Sequence, residues 1–248
     1  MGEVVAALES EPSPQEYVST GSLVLDMALH GWPVGRVSEI TGDSMSGKTT
    51  LAYVAAAEMQ KLGEGPVLWL DFRGEFSPRK AEQAGVNTGA LLVVHGMPRW
   101  DLGPIKHVVA DVVTGWEDAE RCLAIAAEGR TVVATTWRYR RLPGIYPWVD
   151  LSLRSGNHTT ATVRTELSGE ATVAGLEITP NGIDSGMELL GLAQKAGMID
   201  QRGSHWYLRR KGSPTTEHLG SGREAAAREL TRHYKKISGE VLQGLTRT

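Results

Sequence analysis

The sequence is short of most features that would place it outside the cell, in a membrane or around a thiol-bound metal. Cys122 is its only cysteine, which excludes an intramolecular disulfide and suits a reducing, cytoplasmic setting. No apolar run approaches the roughly 18 residues of a membrane span, and the acidic opening does not read as a targeting peptide, so no membrane partner is expected. The seven histidines lack the spacing of a zinc site. An excess of positive charge is missing too. With a net charge of −3, no global basic field attracts nucleic acid, and any such binding must come from local clusters. Three clusters are present: Trp137-Arg138-Tyr139-Arg140-Arg141, Arg209-Arg210-Lys211, and Arg228, Arg232, Lys235 and Lys236 near the end. Neither an internal repeat nor a low-complexity segment interrupts the chain. Its 248 residues, 41% hydrophobic and 22% charged, suit one large α/β domain with a small appendage.

The strongest positive signal is Gly42-Asp43-Ser44-Met45-Ser46-Gly47-Lys48-Thr49-Thr50, a complete phosphate-binding loop of the form G-x-x-x-x-G-K-[ST]. It lies between residues 37–40, which read as a short buried strand, and residues 49–61, which read as a helix with Leu51, Val54, Ala55 and Met59 on one face. Glycines let such a loop curl until several N–H groups converge on phosphate oxygens, with the positive end of the helix dipole behind them. Lys48 then supplies a point charge to the β/γ-phosphates, and the Thr49 hydroxyl is placed to ligate Mg²⁺. The cofactors expected are ATP and Mg²⁺.

Downstream, strands and helices alternate, which argues for a mostly parallel sheet with helical crossovers. Residues 67–71 (VLWLD) read as a buried strand ending in a carboxylate, 78–84 as a short helix and 91–95 as the next strand. Residues 107–113 (HVVADVV) admit two readings. Their β-branched valines favour a strand with Asp111 near its end, the carboxylate that holds the Mg²⁺ shell. Against that, Leu102, Ile105, Val109 and Val112 fit a helical spacing, and the link from His95 is short for a parallel crossover. A helix over 117–129 and a strand over 131–137 follow. Between 149 and 178 the apolar residues alternate every second position, as in antiparallel or edge strands. After Asn181-Gly182 come a helix over 187–196, a hairpin over 198–208 turning at Arg202-Gly203, and a long helix over 223–242, the makings of a separate small domain.

These residues together resemble the RecA recombinase family along nearly the whole chain. Val18-Ser19-Thr20-Gly21-Ser22, Leu25-Asp26, Gly35-Arg36-Val37 and Glu39-Ile40 match the family's lead-in to the loop. Asp71 through Pro78, Ala84-Gly85-Val86 and Leu91-Leu92 follow in register, and Gly182-Ile183, Glu188-Leu189 and Trp206-Tyr207 resemble its entry into a C-terminal domain. The resemblance implies a RecA-type α/β core over 18–184, an N-terminal oligomerisation arm over 1–17 and a small C-terminal α/β domain over 185–248. It implies an ATP-dependent filament on single-stranded DNA that carries out homologous pairing and strand exchange, with duplex DNA as a second candidate partner. Its DNA loop falls on Trp137, Arg138, Tyr139, Arg140 and Arg141, where interleaved rings and guanidinium groups suit bases and phosphates.

Departures from the family pattern cluster around hydrolysis. The glutamate expected to activate water falls on Arg73, with Glu75 two residues away as the candidate replacement. The adenine-stacking tyrosine falls on Lys80, and the glutamine that reports γ-phosphate to the DNA loop falls on Thr136. The lysine pair reaching across to a neighbour's ATP has no clear equivalent; Arg164 is the nearest basic residue. The first DNA loop is cut to Thr114-Gly115-Trp116, and the second to about 138–148. The expectation is therefore secure nucleotide binding and slow turnover, with Lys48, Glu75 and Asp111 as the catalytic set, in a compact, divergent or phage-encoded member rather than a main cellular recombinase. A non-hydrolysing RecA-like adaptor in the DNA-damage or mutagenesis response is the alternative; a ring-forming motor ranks third.

Overall fold

The computed structural model describes residues 16–98, 101–137, 145, 147–153, 158–165, 169–210, 213 and 215–245. The chain divides between Ile183 and Asp184 into two compact units.

In the first unit, β1 (Tyr17–Val18), α1 (Leu23–Leu29) and β2 (Trp32–Pro33) lead into β3 (Val37–Gly42). The lead-in has a physical task. The Asp26 carboxylate accepts hydrogen bonds from the Thr20 N–H and the Thr20 hydroxyl, both at 2.7 Å, while Ser22 caps α1 by accepting from the Leu25 N–H at 3.2 Å. Beyond β3 come α2 (Lys48–Lys61), β4 (Val67–Asp71), α3 (Pro78–Gln83), β5 (Leu91–His95), β6 (His107–Asp111), α4 (Trp116–Ala127) and β7 (Thr131–Thr135). The unit closes with β8 (Trp148–Leu153), β9 (His158–Thr165), β10 (Gly169–Thr179) and β11 (Gly182–Ile183).

One nine-stranded sheet organises this unit, in the order β11-β10-β9-β8-β3-β7-β6-β4-β5. From β8 to β5 every pairing is parallel, whereas β9, β10 and β11 continue antiparallel at the other side. The chain is thus α/β with a mostly parallel sheet. Every residue of β3, β4, β6 and β7 is buried, which is why these runs read as continuous apolar segments rather than alternating ones.

Residues 107–111 resolve in favour of the strand: β6 is paired on one side with β4 and on the other with β7. The helical spacing arose because Leu102 and Ile105, in the preceding link, are buried in the same apolar cluster as Val108 and Ala110. No helix is needed in that link, since β5 and β6 flank β4 and the connection has one strand to cross. A second difference concerns α2, expected to bury one face. Leu51 through Ala57 are all buried, as is Met59; a run of alanines lets the helix be enclosed on almost all sides.

The second unit begins with α5 (Ser185–Lys195), followed by an antiparallel sheet of β12 (Ile199–Arg202), β13 (His205–Arg209) and β14 (Thr216–Ser221). Instead of one long helix the chain then forms α6 (Arg223–Arg232) and α7 (Tyr234–Leu245). The break has a local cause. The Thr231 hydroxyl donates back to the Ala227 carbonyl at 3.0 Å, a bond that bends helices, and His233 ends α6 while its own carbonyl accepts from Ile237 to start α7. Helix α6 also lies close on α5: a Cβ at Gly186 would meet the Ala227 carbonyl oxygen at 2.4 Å. Leu189, Leu190, Trp206, Leu208, Leu219, Leu230 and Val241 form the core of this unit.

Candidate functional site

Parallel strands bring their carboxyl ends to one edge, where ligands of open α/β sheets gather. Here that edge carries the loop after β3 and, in register on neighbouring strands, Asp71 of β4 beside Asp111 of β6. Gly47 turns the loop into α2 with φ of 93° and offers no side-chain cap. The first-turn N–H groups of α2 have no carbonyl within the helix to bond. They open on a cavity of about 530 Å³ lined by Ser46, Lys48, Thr49, Tyr53, Lys80 and Pro180 among others. The Ser46 hydroxyl is buried without a hydrogen-bond partner among the described residues. The Lys48 ammonium donates to the Asp43 carbonyl at 2.5 Å and lies 4.8 Å from the centroid of the Trp137 ring. An uncapped helix start, a buried hydroxyl and a lysine around one cavity fit a polyphosphate.

Asp111 is approached by two hydroxyls. The Thr135 hydroxyl donates to Oδ1 at 2.7 Å, and the Thr49 hydroxyl approaches the same oxygen at 3.4 Å. Thr135 also accepts from the Val112 N–H at 2.7 Å, fixing Val112 at φ of 58°, an unfavourable angle for a β-branched residue. Burial raises the Asp111 pKa above the usual carboxylate range; the Thr135 and Thr49 hydroxyls oppose this, and the charges of Asp71 and Glu75 add to it. One carboxylate and one hydroxyl are hard oxygen donors that fit Mg²⁺, which keeps waters and phosphate oxygens for its other positions. Among the described residues no group of three or more His, Cys, Asp or Glu could hold a metal unaided.

Asp71 does different work. Its Oδ1 accepts from the N–H groups of Arg73, Gly74 and Glu75 at 3.3, 2.8 and 3.1 Å, and Oδ2 from Phe76 at 2.9 Å. Burial pushes its pKa up, but these four donors outweigh burial and hold it below the ordinary value. The loop bearing Arg73 and Glu75 is therefore pinned at its backbone. The Arg73 Nε donates to Glu75 Oε1 at 3.0 Å, and its guanidinium carbon lies 6.0 Å from the Trp137 ring centroid.

The cavity thus brings together Ser46, Lys48, Thr49 and, through Thr49, Asp111, with Glu75 on the adjoining loop. Met45 stands 88% exposed at φ of 61°, and Lys80 lines the far side. The Thr136 hydroxyl is committed to Glu39 Oε1 at 2.5 Å. Trp116 is 49% exposed, its Nε1 donating to Glu120 at 2.7 Å. Of the expected DNA residues only Trp137 is placed; Arg138, Tyr139, Arg140 and Arg141 lie outside the described residues, as does most of the expected N-terminal arm. In the second unit, part of the basic character is offset by acids: Arg210 pairs with Glu217 at 3.0 Å and Glu240 at 3.3 Å, and Arg232 with Glu229 at 2.7 Å. Among the described residues no helix is long and apolar enough to cross a membrane.

Two residues escaped the sequence reading. Tyr53 lines the cavity, stacks on Trp69 at 4.6 Å and accepts from the Ser77 N–H at 3.0 Å. Burial first, with Asp111 and Asp71 adding, raises its pKa to about 12 despite the Ser77 bond. Its position four residues after Thr49 on α2 was the available signal, since i and i+4 share a helix face. Thr135, the partner of Asp111, looked like an ordinary strand residue.

A family model described as the RecA N-terminal domain matches residues 2–101. The chain is 27% identical over 298 residues to Protein RecA of Thermotoga sp. (strain RQ2), covering 94% of this chain and 83% of that one. Protein RecA of Thermotoga petrophila is 26% identical with the same coverage. Protein RecA of Phytoplasma mali (strain AT) is 48% identical over 80 residues, which span 32% of this chain and 23% of that protein.

Proposed function

We propose that the chain is a divergent member of the RecA family, as the matches to its N-terminal domain and to Protein RecA support, and that it binds ATP with Mg²⁺ and assembles as a filament on single-stranded DNA for homologous pairing and strand exchange. The observation that carries the nucleotide reading is the cavity in which Lys48, Thr49 and the uncapped start of α2 converge beside Asp111. In it the N–H groups of Asp43 to Thr50 cradle the phosphates, Lys48 neutralises them, and Thr49 and Asp111 hold the Mg²⁺ shell. Bound Mg²⁺ offsets charge on the phosphate oxygens. The residue types from Trp137 to Arg141 suit single-stranded DNA, with aromatic stacking and guanidinium–phosphate pairing as the means. Duplex DNA is a secondary partner.

Turnover in this reading is slow. Arg73 cannot take a proton from water, and Glu75 gives Oε1 to Arg73, so the general base is displaced and encumbered. Loss of a well-placed base typically costs about 10²- to 10⁴-fold. That feature also supports a second reading, a RecA-like adaptor that holds ATP without hydrolysing it. Steady-state ATP hydrolysis, with and without single-stranded DNA, separates the two. Stimulation by DNA supports a recombinase-type ATPase. Bound ATP with no turnover in either condition supports the adaptor, and failure to bind ATP overturns both.

A further inference from the structure

Arg73 stands on the pinned loop after β4, and a guanidinium cannot act as a base, so its task is read from its surroundings. Asp71 pins the backbone of residues 73–76 through four N–H donors, and Asp71 is the in-register neighbour of Asp111. Arg73 therefore springs from a fixed point beside the Mg²⁺ and phosphate end of the cavity. Two cations address one indole: the Lys48 ammonium 4.8 Å and the Arg73 guanidinium carbon 6.0 Å from the centroid of Trp137. Lys48 is the residue that meets the terminal phosphates, so a guanidinium gathered on the same ring is within side-chain reach of the same anion. Its Nε is given to Glu75. That ion pair orients the planar group and leaves the terminal nitrogen fork for a bidentate contact with a phosphate.

We propose that Arg73 is a γ-phosphate-binding residue supplied in cis, with the Trp137 ring as the platform that gathers Arg73 and Lys48 on the terminal phosphate. The inference rests on the reading that this cavity takes ATP. The positive charge facing the terminal phosphate then comes from the chain's own β4–α3 loop. A guanidinium there grips the γ-phosphate without activating water, so the site distinguishes ATP from ADP by affinity rather than by turnover.

The test is the ratio of ATP to ADP affinity, measured with the full chain by calorimetric titration in Mg²⁺ for wild type, Arg73→Ala, Arg73→Lys and Trp137→Leu. Arg73 is exposed, so its replacement is not expected to disturb folding, and circular dichroism checks this. Arg73→Ala should lose about 10- to 100-fold in ATP affinity while ADP affinity stays within about twofold. Arg73→Lys should fall between, keeping charge without the fork, and Trp137→Leu should lower the ATP preference several-fold. Equal loss for ATP and ADP, or no loss for either, overturns the assignment. Wild type that binds neither nucleotide overturns the nucleotide reading itself, and the assignment with it.

Discussion

The loop after β3 and the loop after β4 rise from the same edge of the sheet, with β7 and β6 between their strands, yet they differ in how their polar groups are committed. On the first side Lys48 and Thr49 line the cavity, the Thr49 hydroxyl approaches Asp111, and Thr135 buttresses Asp111 at 2.7 Å. At the other end the loop after β4 is equally rigid in backbone, through Asp71, but its side chains are an arginine and a glutamate bonded to each other. Rigidity is common to both; the chemistry mounted on it is not. The lesson is that a loop pinned at its backbone can change the chemistry it carries, with the sheet beneath it untouched.

The sharpest way to break this contrast is at Lys48. Lys48→Ala should weaken ATP binding by at least about 100-fold with an unchanged circular dichroism spectrum; a drop below about fivefold would place the phosphates elsewhere. Next in size, Asp71→Ala strips four backbone donors of their acceptor and should cost about 2–3 kcal/mol in urea unfolding at pH 7. Because the Asp71 pKa is lowered on folding, its contribution is complete above the unfolded value and fades as pH falls through the folded one. The gap between variant and wild type should therefore narrow in acid. Glu75→Gln should lower the residual turnover by about 10-fold; unchanged turnover excludes Glu75 as the base.

Asp111 behaves oppositely to Asp71. Its pKa is raised, so ionisation costs stability in full above the folded pKa, and the cost shrinks as pH falls below it and is gone below the unfolded value. Asp111→Asn should make the chain more stable at pH 7 in urea unfolding while losing the Mg²⁺-dependent part of ATP affinity. An Asp111→Asn variant less stable than wild type at pH 7 would contradict the pKa direction. The smallest effect is expected at the base side: Lys80→Tyr, by adding a ring beside the cavity, should tighten ATP and ADP alike by about threefold.

How much of this was legible beforehand depended on whether information was local. Strands 67–71 and 91–95 were read to the residue, because uninterrupted β-branched and leucine runs admit few alternatives. The loop at 42–50 announced itself by residue type and spacing. Residues 102–113 were ambiguous because burial of the link at Leu102 and Ile105 mimicked a helical period. The break between α6 and α7 depended on a Thr231 side-chain bond that propensity alone does not reveal. Within the site, Tyr53 and Thr135 were missed since their roles come from neighbours distant in sequence: Ser77 and Trp69 for one, Asp111 for the other. The commitment of Thr136 to Glu39 spans 97 positions in the chain, beyond any local pattern.

The strand order has a further consequence for how the molecule is made. The strand that leads into the phosphate loop, β3, sits between β7 and β8, so Val37 awaits Val132 and Glu39 awaits Trp148. At translation speeds of about 5–20 residues per second, the hundred or so intervening residues take roughly 5–20 s to appear. For that interval an apolar strand has neither lateral partner, and non-local closure of this kind slows folding. The local meander of β12, β13 and β14 can close as it emerges. The loop after β3 therefore rests on a strand that waits long for its neighbours, and slow or interrupted synthesis prolongs that wait.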